Sequence, residues 1–131
     1  MRPTDKELFR MAVKASENAY VPFSNFHVGA ALLTKDGQVY TGCNIENSSY
    51  GATICAERVA VTKAISEGKR AFRRIAVYAD SADYCVPCGT CRQVLSEFSP
   101  NIEVLCVRSD GRYVSYNLKN LLPQAFNKNF L

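Results

Sequence analysis

The chain has 131 residues, of which 47% are hydrophobic and 21% are charged, and its net charge is +4. This length predicts one domain, residues 1–131, with enough apolar residues for a packed core. No stretch approaches the roughly 20 apolar residues of a membrane helix, and residues 1–6 lack the apolar core of a secretory signal. We therefore expect no membrane partner and a cytoplasmic location. Six cysteines without such a signal favour reduced thiols or metal ligands over a disulfide framework.

The first half of the chain predicts a helix, a β-hairpin and a second helix. Apolar residues recur at helical spacing in both helical segments, and Gly68 is a typical helix terminator. Asp36-Gly37 favours a tight turn between two strands. The predicted elements are a helix capped by Thr4 or Asp5 and ending before Pro22, strands over 28–34 and 38–43, and a helix over 53–67.

The second half of the chain alternates strands with helices. Two of its strands are short apolar runs typical of buried strands, and a third is a candidate edge strand. The predicted elements are strands over 74–79, 102–107 and 113–116, and helices over 89–98 and 118–122. The order of elements predicts an α/β fold, a three-layer α/β/α sandwich with a mixed five-stranded sheet.

Three cysteines and a glutamate form the most informative pattern. Cys88 and Cys91 have i, i+3 spacing at the start of one predicted helix, and Cys55 lies in the first turn of another. Two helix N-termini can therefore face one ion, and their positive dipole ends favour thiolates. Three soft thiolates suit Zn²⁺ and leave a fourth position for water, which is typical of catalytic sites. Glu57, two residues after Cys55, is then the candidate catalytic residue that moves protons.

Two arginines next to this pattern have a possible role in its electrostatics. Three thiolates on Zn²⁺ carry a net charge of −1, which weakens the ion as a Lewis acid. Arg58 and Arg92 each adjoin a motif residue and could donate hydrogen bonds to the sulfurs. Our hypothesis is that these two guanidinium groups offset the charge.

Other interpretations of the same residues remain open. Cys88-Gly89-Thr90-Cys91 alone is compatible with a redox pair, and an iron–sulfur cluster would ask for a fourth cysteine such as Cys85. Glu57 could simply stabilise a helix N-terminus. Cys43 and Cys106 lie in predicted apolar strands and are expected to be small core residues. His27, the only histidine, is expected to be a structural hydrogen-bonding residue, and Cys85 has no assigned role.

Four segments resemble the zinc-dependent cytidine deaminases, and in particular their small homotetrameric class. They are Cys-Ala-Glu-Arg at 55–58, Pro-Cys-Gly-Thr-Cys-Arg-Gln at 87–93, Tyr-Val-Pro-Phe-Ser-Asn-Phe at 20–26 and Gly-Cys-Asn-Ile-Glu-Asn at 42–47. The resemblance covers nearly the whole chain. It implies one zinc ion per subunit, held by the three cysteines.

The resemblance also implies a set of substrate-binding residues. Phe26 would pack against the pyrimidine ring, and Asn44 and Glu46 would hydrogen-bond the ribose hydroxyls. Backbone groups near Ala56 would hold the base. The side chains that would complete a neighbouring subunit's pocket are Tyr50 and Phe126.

The activity implied is the hydrolytic deamination of cytidine and deoxycytidine to uridine and deoxyuridine, a reaction of pyrimidine salvage in which Glu57 relays protons. Three alternatives remain. A deaminase of a modified nucleoside such as blasticidin S is one, although Asn44 and Glu46 favour an ordinary ribose. A polynucleotide deaminase is another, with the basic residues at 69–74 contacting phosphate, but we expect no nucleic-acid partner. A non-catalytic zinc module is the third, and it leaves the open coordination position unexplained.

Overall fold

Five strands form one mixed sheet in the order β2-β1-β3-β4-β5 in the computed structural model, which describes residues 3–131. β1 is antiparallel to both β2 and β3, β3 is parallel to β4, and β4 is antiparallel to β5. The strands are β1 (Val28–Thr34), β2 (Val39–Cys43), β3 (Phe72–Ala79), β4 (Glu103–Val107) and β5 (Tyr113–Asn117). The predicted mixed sheet with an edge strand near residue 113 is confirmed.

Helices cover both faces of this sheet. On one face, Leu8 and Ala12 of the first helix pack against Leu33 and Leu105. The other helices cover the opposite face, where they bury a larger apolar cluster. The helices are α1 (Asp5–Ser16), α2 (Ala56–Ser66), α3 (Gly89–Phe98) and α4 (Leu118–Leu121). The predicted three-layer α/β/α arrangement is therefore confirmed.

Local signals explain where α1 begins. The Thr4 side chain accepts a hydrogen bond from Glu7 N at 3.2 Å, and Thr4 N donates to the Glu7 carboxylate at 3.2 Å. This reciprocal capping box satisfies two backbone donors that a helix start leaves unpaired.

Two glycines let helices approach the sheet closely. A Cβ atom at Gly29 would lie 1.9 Å from Ala12 O, and one at Gly42 would lie 2.4 Å from Ala56 O. Both distances are far below any real contact, so α1 and α2 can pack at these separations only against glycine. Gly42 therefore determines how close the start of α2 lies to β2.

The strand register brings one set of strand ends together. Val28 at the start of β1 pairs with Ala79 at the end of β3, and Gly29 pairs with Cys43 at the end of β2. The loop before β1, the loop after β2 and the connection from β3 to α3 therefore leave the sheet at the same edge.

The start of α2 differs from the prediction that Cys55 lies in its first turn. The helix begins at Ala56, and Cys55 is its N-cap with an extended backbone (φ −75°, ψ 155°). The physical reason is that Ile54 pairs with Ile45 in an antiparallel β-bridge, which keeps the chain extended up to Cys55. Within residues 3–131, no helix combines the length and the apolar character needed to cross a membrane.

Candidate metal centre and active site

The sulfur atoms of Cys55, Cys88 and Cys91 lie close together at the edge just described. Cys55 Sγ is 3.8 Å from Cys88 Sγ, Cys88 Sγ is 3.5 Å from Cys91 Sγ, and all three sulfurs lie within 4.8 Å of one another. Sulfurs bound at about 2.3 Å to a tetrahedral zinc ion would be separated by about 3.8 Å. The three thiols are thus spaced to bind zinc without rearrangement of the backbone.

Two helix N-termini position these thiols, as the sequence predicts. Cys55 is the N-cap of α2 and Cys88 is the N-cap of α3, while Cys91 lies in the first turn of α3. The Cys91 thiol donates to Cys55 and, with help from Arg58, lowers the pKa of Cys55 to about 5. The site therefore stabilises the thiolate of Cys55, the form that binds a metal, while the same contact raises the pKa of Cys91.

Glu57 is the second residue of α2 and is only 4% exposed. Burial raises the pKa of its carboxyl group to about 7, and the charge of the nearby Cys55 acts in the same direction. A buried carboxyl with a pKa near neutrality, beside three metal-binding thiols, is chemically able both to accept and to donate a proton.

The two arginines of the charge hypothesis have different surroundings. Arg58 Nη2 donates to Cys55 Sγ at 3.6 Å. Arg92, in contrast, donates from Nε to Pro87 O at 2.7 Å and from Nη1 to Leu121 O at 2.9 Å. Its guanidinium points to backbone carbonyls because the end of α4 lies against α3, and it ties the segment before Cys88 to that end.

The residues expected to bind ribose and base are joined by hydrogen bonds. Asn44 follows β2, where its Oδ1 accepts from Val28 N at 3.0 Å and its Nδ2 donates to Phe26 O at 2.8 Å. Glu46 accepts from Phe23 N at 2.9 Å. The Phe26 side chain is 38% exposed. These three residues therefore form one surface at the sheet edge that carries the three sulfurs.

The remaining predicted substrate residues differ in exposure. Ala56 is fully buried at the start of α2, between Cys55 and Glu57. Tyr50 is 77% exposed and contacts Phe23 edge to face, with ring centroids 6.0 Å apart. Phe126 is 57% exposed and stacks on Phe130 at 5.5 Å. Both aromatic side chains are available to contact another molecule.

Among residues 3–131, the metal-binding group comprises three cysteines, and the other three lie elsewhere. Cys106 is buried in the core as predicted, whereas Cys43 is half-buried. Burial raises the pKa of Cys85 to about 11 and that of Cys106 to about 12. These two thiols stay protonated at neutral pH, which makes them poor nucleophiles and poor ligands.

Sequence reasoning missed the role of Ser24. Its hydroxyl donates to Glu46 Oε2 and accepts from Phe26 N at 3.1 Å. The sequence signal that could have found it is the Ser24-Asn25 pair, because serine and asparagine favour turns. In the structure Asn25 has a positive φ of 55°. Serine two residues before a turn's end commonly accepts a backbone hydrogen bond in this way.

Comparisons with known proteins agree with this geometry. Residues 2–107 match the family model described as the cytidine and deoxycytidylate deaminase zinc-binding region. The chain is 48% identical over 124 residues to a cytidine deaminase of Sporosarcina psychrophila, covering 94% of this chain and 91% of the relative. It is 51% identical over 120 residues to one of Halalkalibacterium halodurans, covering 91% of each.

A solved structure supports the same assignment. The crystal structure of a cytidine deaminase from Burkholderia pseudomallei superposes with a TM-score of 0.91 at 45% identity, covering 95% of this chain and 100% of that one. The fold, the three-thiol group and the family match together confirm the predicted zinc cofactor. The chain belongs to the cytidine and deoxycytidylate deaminase family.

Proposed function

We propose that the chain catalyses the hydrolytic deamination of cytidine to uridine with release of ammonia, and that it converts deoxycytidine in the same way. The observation that carries this proposal is the buried Glu57 carboxyl group beside three sulfurs at zinc-binding separations. Relatives at 48% and 51% identity over most of their length are named cytidine deaminases. The reaction is one of pyrimidine nucleoside salvage.

Cys55, Cys88 and Cys91 would hold the zinc ion, and the chemistry that zinc supplies is that of a Lewis acid, which makes water acidic enough to serve as a nucleophile near neutral pH. Glu57 acts as the proton carrier. Its carboxylate takes one proton from the attacking water and gives it to N3 of the cytosine ring as the water oxygen bonds to C4. It then takes the remaining proton of the hydroxyl group now on C4 and gives it to the C4 amino group. The C4–N bond breaks to release ammonia as the C4 oxygen becomes the carbonyl of uridine.

Burial supports this role for Glu57. A carboxyl group that is 4% exposed has little contact with bulk water, which favours proton transfer to the substrate over exchange with solvent. Its raised pKa, about 7, places both protonation states within reach at neutral pH.

The loop before β1 and the loop after β2, which lie beside the three sulfurs, are proposed to bind the nucleoside. Phe26 offers an exposed aromatic face for the base, and the backbone near Ala56 offers hydrogen-bonding groups to it. Asn44 and Glu46 supply the amide and carboxylate that recognise ribose hydroxyls. Such a mixture of one flat apolar surface and a few polar groups is typical of small-molecule sites.

We also propose a homotetramer in the cytoplasm. Tyr50 and Phe126 are 77% and 57% exposed, which is unusual for large aromatic side chains unless they meet a partner. In the assembly they would complete the site of a neighbouring subunit.

All six cysteines are free thiols, which fits a reducing compartment such as the cytoplasm.

The basic segment 69–74 does not favour a polynucleotide substrate. Lys69 Nζ pairs with Asp36 at 2.6 Å, and Arg74 Nη1 pairs with Asp5 at 2.6 Å. Arg70 Nη1 donates to Ile65 O at 2.8 Å. Because these cations already have partners within the chain, they are less available for phosphate groups.

The decisive experiment follows the loss of the cytosine absorbance band when zinc-loaded protein is mixed with cytidine, with ammonia measured in parallel. Conversion by the unaltered protein and its absence with Glu57→Gln would support the proposal. Blasticidin S and a cytidine-containing oligonucleotide are the competing substrates. Turnover of either one without turnover of cytidine would overturn it, and bound zinc without any turnover would indicate a non-catalytic zinc module.

A further inference from the structure

The Glu46 carboxylate is held by three donors from the loop before β1. Phe23 N donates to Oε1 at 2.9 Å and Ser24 N donates to Oε1 at 3.2 Å. The Ser24 hydroxyl donates to Oε2. Glu46 is also anchored through its backbone, because Glu46 N donates to Tyr20 O at 2.8 Å.

These donors leave little of the carboxylate unused. An ionised carboxylate offers about four lone-pair positions, two on each oxygen. The two backbone N–H groups occupy both positions on Oε1, and the Ser24 hydroxyl occupies one on Oε2. One acceptor position on Oε2 therefore remains for a ligand, and the Ser24 hydroxyl determines where it points.

The same hydroxyl also reaches the residue expected to face the base. Ser24 Oγ accepts from Phe26 N at 3.1 Å. Between them Asn25 has a φ of 55°, and Asn25 N donates to Val21 O at 2.9 Å, which closes a tight turn. One hydroxyl group thus joins the carboxylate to the backbone of Phe26.

We propose that Ser24 is a positioning residue that orients the Glu46 carboxylate toward one sugar hydroxyl of the substrate and so determines selectivity for sugars that carry this hydroxyl. This inference rests on the proposed nucleoside deaminase function and adds a residue to it. Ser24 acts through Glu46, and its hydroxyl is already committed to Glu46 Oε2 and to Phe26 N. The Ser24 hydrogen bond also holds the pKa of Glu46 below its ordinary value, so the carboxylate is ionised and accepts only.

The test compares Ser24→Ala with the unaltered protein on cytidine and on 2′,3′-dideoxycytidine, which lacks the 2′- and 3′-hydroxyl groups. On cytidine, we expect KM to rise about tenfold, the usual effect of losing a hydrogen bond to a charged group. We expect kcat to change little, because the lost interaction is made in the ground state and transition state alike. On the dideoxy substrate the KM of the variant should match that of the unaltered protein.

Ser81 provides a matched control. Its hydroxyl accepts from Asp83 N at 3.1 Å, the same i, i+2 bond that Ser24 makes to Phe26. Ser81→Ala therefore removes a comparable turn bond without touching Glu46, and we expect unchanged KM for both substrates. Ser24→Thr keeps a hydroxyl and is expected to retain most of the affinity for cytidine.

A double-mutant cycle separates positioning from a loss of structure. In a Glu46→Gln background, adding Ser24→Ala should raise KM for cytidine no further, because both changes remove the same contact. Zinc content and melting temperature are measured for every variant. An equal penalty on cytidine and the dideoxy substrate, additive effects in the cycle, or a Thr variant as impaired as Ala would each overturn the proposal. Failure of the unaltered protein to deaminate cytidine would instead refute the proposed function itself.

Discussion

Arg58 Nη2 donates to the sulfur of Cys55 at 3.6 Å, across the first turn of α2. The thiolate, in return, raises the pKa of Arg58, so the guanidinium stays charged. A zinc ion held by three thiolates has a net charge of −1, and one adjacent guanidinium offsets it. This pair therefore links the charge of the metal centre to a residue that is not a ligand.

Replacement of Arg58 by Gln is expected to weaken the metal centre. Loss of a partner to a ligand commonly costs about 10-fold to 100-fold in metal affinity or activity. The measurements are the zinc dissociation constant, by competition with a chelator, and kcat at saturating zinc. Unchanged values for both would contradict a role for Arg58 in the charge of the site.

Arg92→Gln serves as the comparison for Arg58→Gln. Arg92 donates to Pro87 O and Leu121 O, so its loss leaves two carbonyls without their donor. We expect a lower melting temperature with a smaller change in zinc affinity than for Arg58→Gln. The two arginines, although both adjacent to motif residues, should thus be separable by experiment.

Glu57→Gln is expected to retain zinc and lose turnover. Glutamine has the same shape but cannot carry a proton, and general acid–base catalysis contributes a factor of about 10² to 10⁴. Zinc content by metal analysis and ammonia release report the two properties separately. Glu67→Gln, at the opposite end of α2, is the control and should remain active. Near-normal turnover by a zinc-replete Glu57→Gln protein would refute the proton-carrier role.

Removal of one thiol ligand should abolish zinc binding. We expect Cys91→Ser to purify with little zinc and to be inactive, since Cys91 lies within the three-sulfur group and is buried. A ligand that binds the folded state stabilises it, so a chelator should lower the melting temperature of the unaltered protein but not that of the variant. Cys43→Ser, a half-buried cysteine outside the group, is the control. Full zinc occupancy in Cys91→Ser would contradict the ligand assignment.

Gly42→Ala tests whether the close packing of β2 on α2 positions the site. The added Cβ atom would lie 2.4 Å from Ala56 O and 2.7 Å from Ala60 N, and such overpacking commonly costs about 1–3 kcal/mol. We expect a lower melting temperature and reduced zinc affinity, because the displaced helix end carries Cys55. Gly51→Ala, where nothing lies within 4 Å of the new atom, should leave both properties unchanged.

Phe126→Ala tests the proposed contribution to a neighbouring subunit. Truncating an aromatic side chain at the centre of an interface commonly costs more than about tenfold in affinity. We expect weaker cytidine binding in the variant, with elution volume on a sizing column reporting the assembly. Phe130→Ala removes the ring that stacks on Phe126 and is the matched control. A fully active monomer of the unaltered protein would exclude this role.

Local patterns were sufficient to predict most of the secondary structure. The predicted strand 28–34 and helix 89–98 agree with β1 and α3. The strand is a nearly continuous apolar run, and the apolar residues of the helix recur at helical spacing. The start of α2 was predicted too early. The Ile45–Ile54 bridge that delays it pairs two residues within the connection from β2 to α2, and helical periodicity cannot reveal such a pairing.

The sequence by itself determined the chemistry of this protein: three thiols at two helix starts, one glutamate beside them, and the order of elements that forms the sheet. These follow from spacing along the chain, because helix N-termini and i, i+3 geometry are local properties. Only the tertiary structure decided that the Arg92 guanidinium reaches Leu121 O instead of a sulfur, and that Ser24 holds Glu46. Both contacts join segments that are distant in the sequence, so they depend on packing, which residue spacing does not encode.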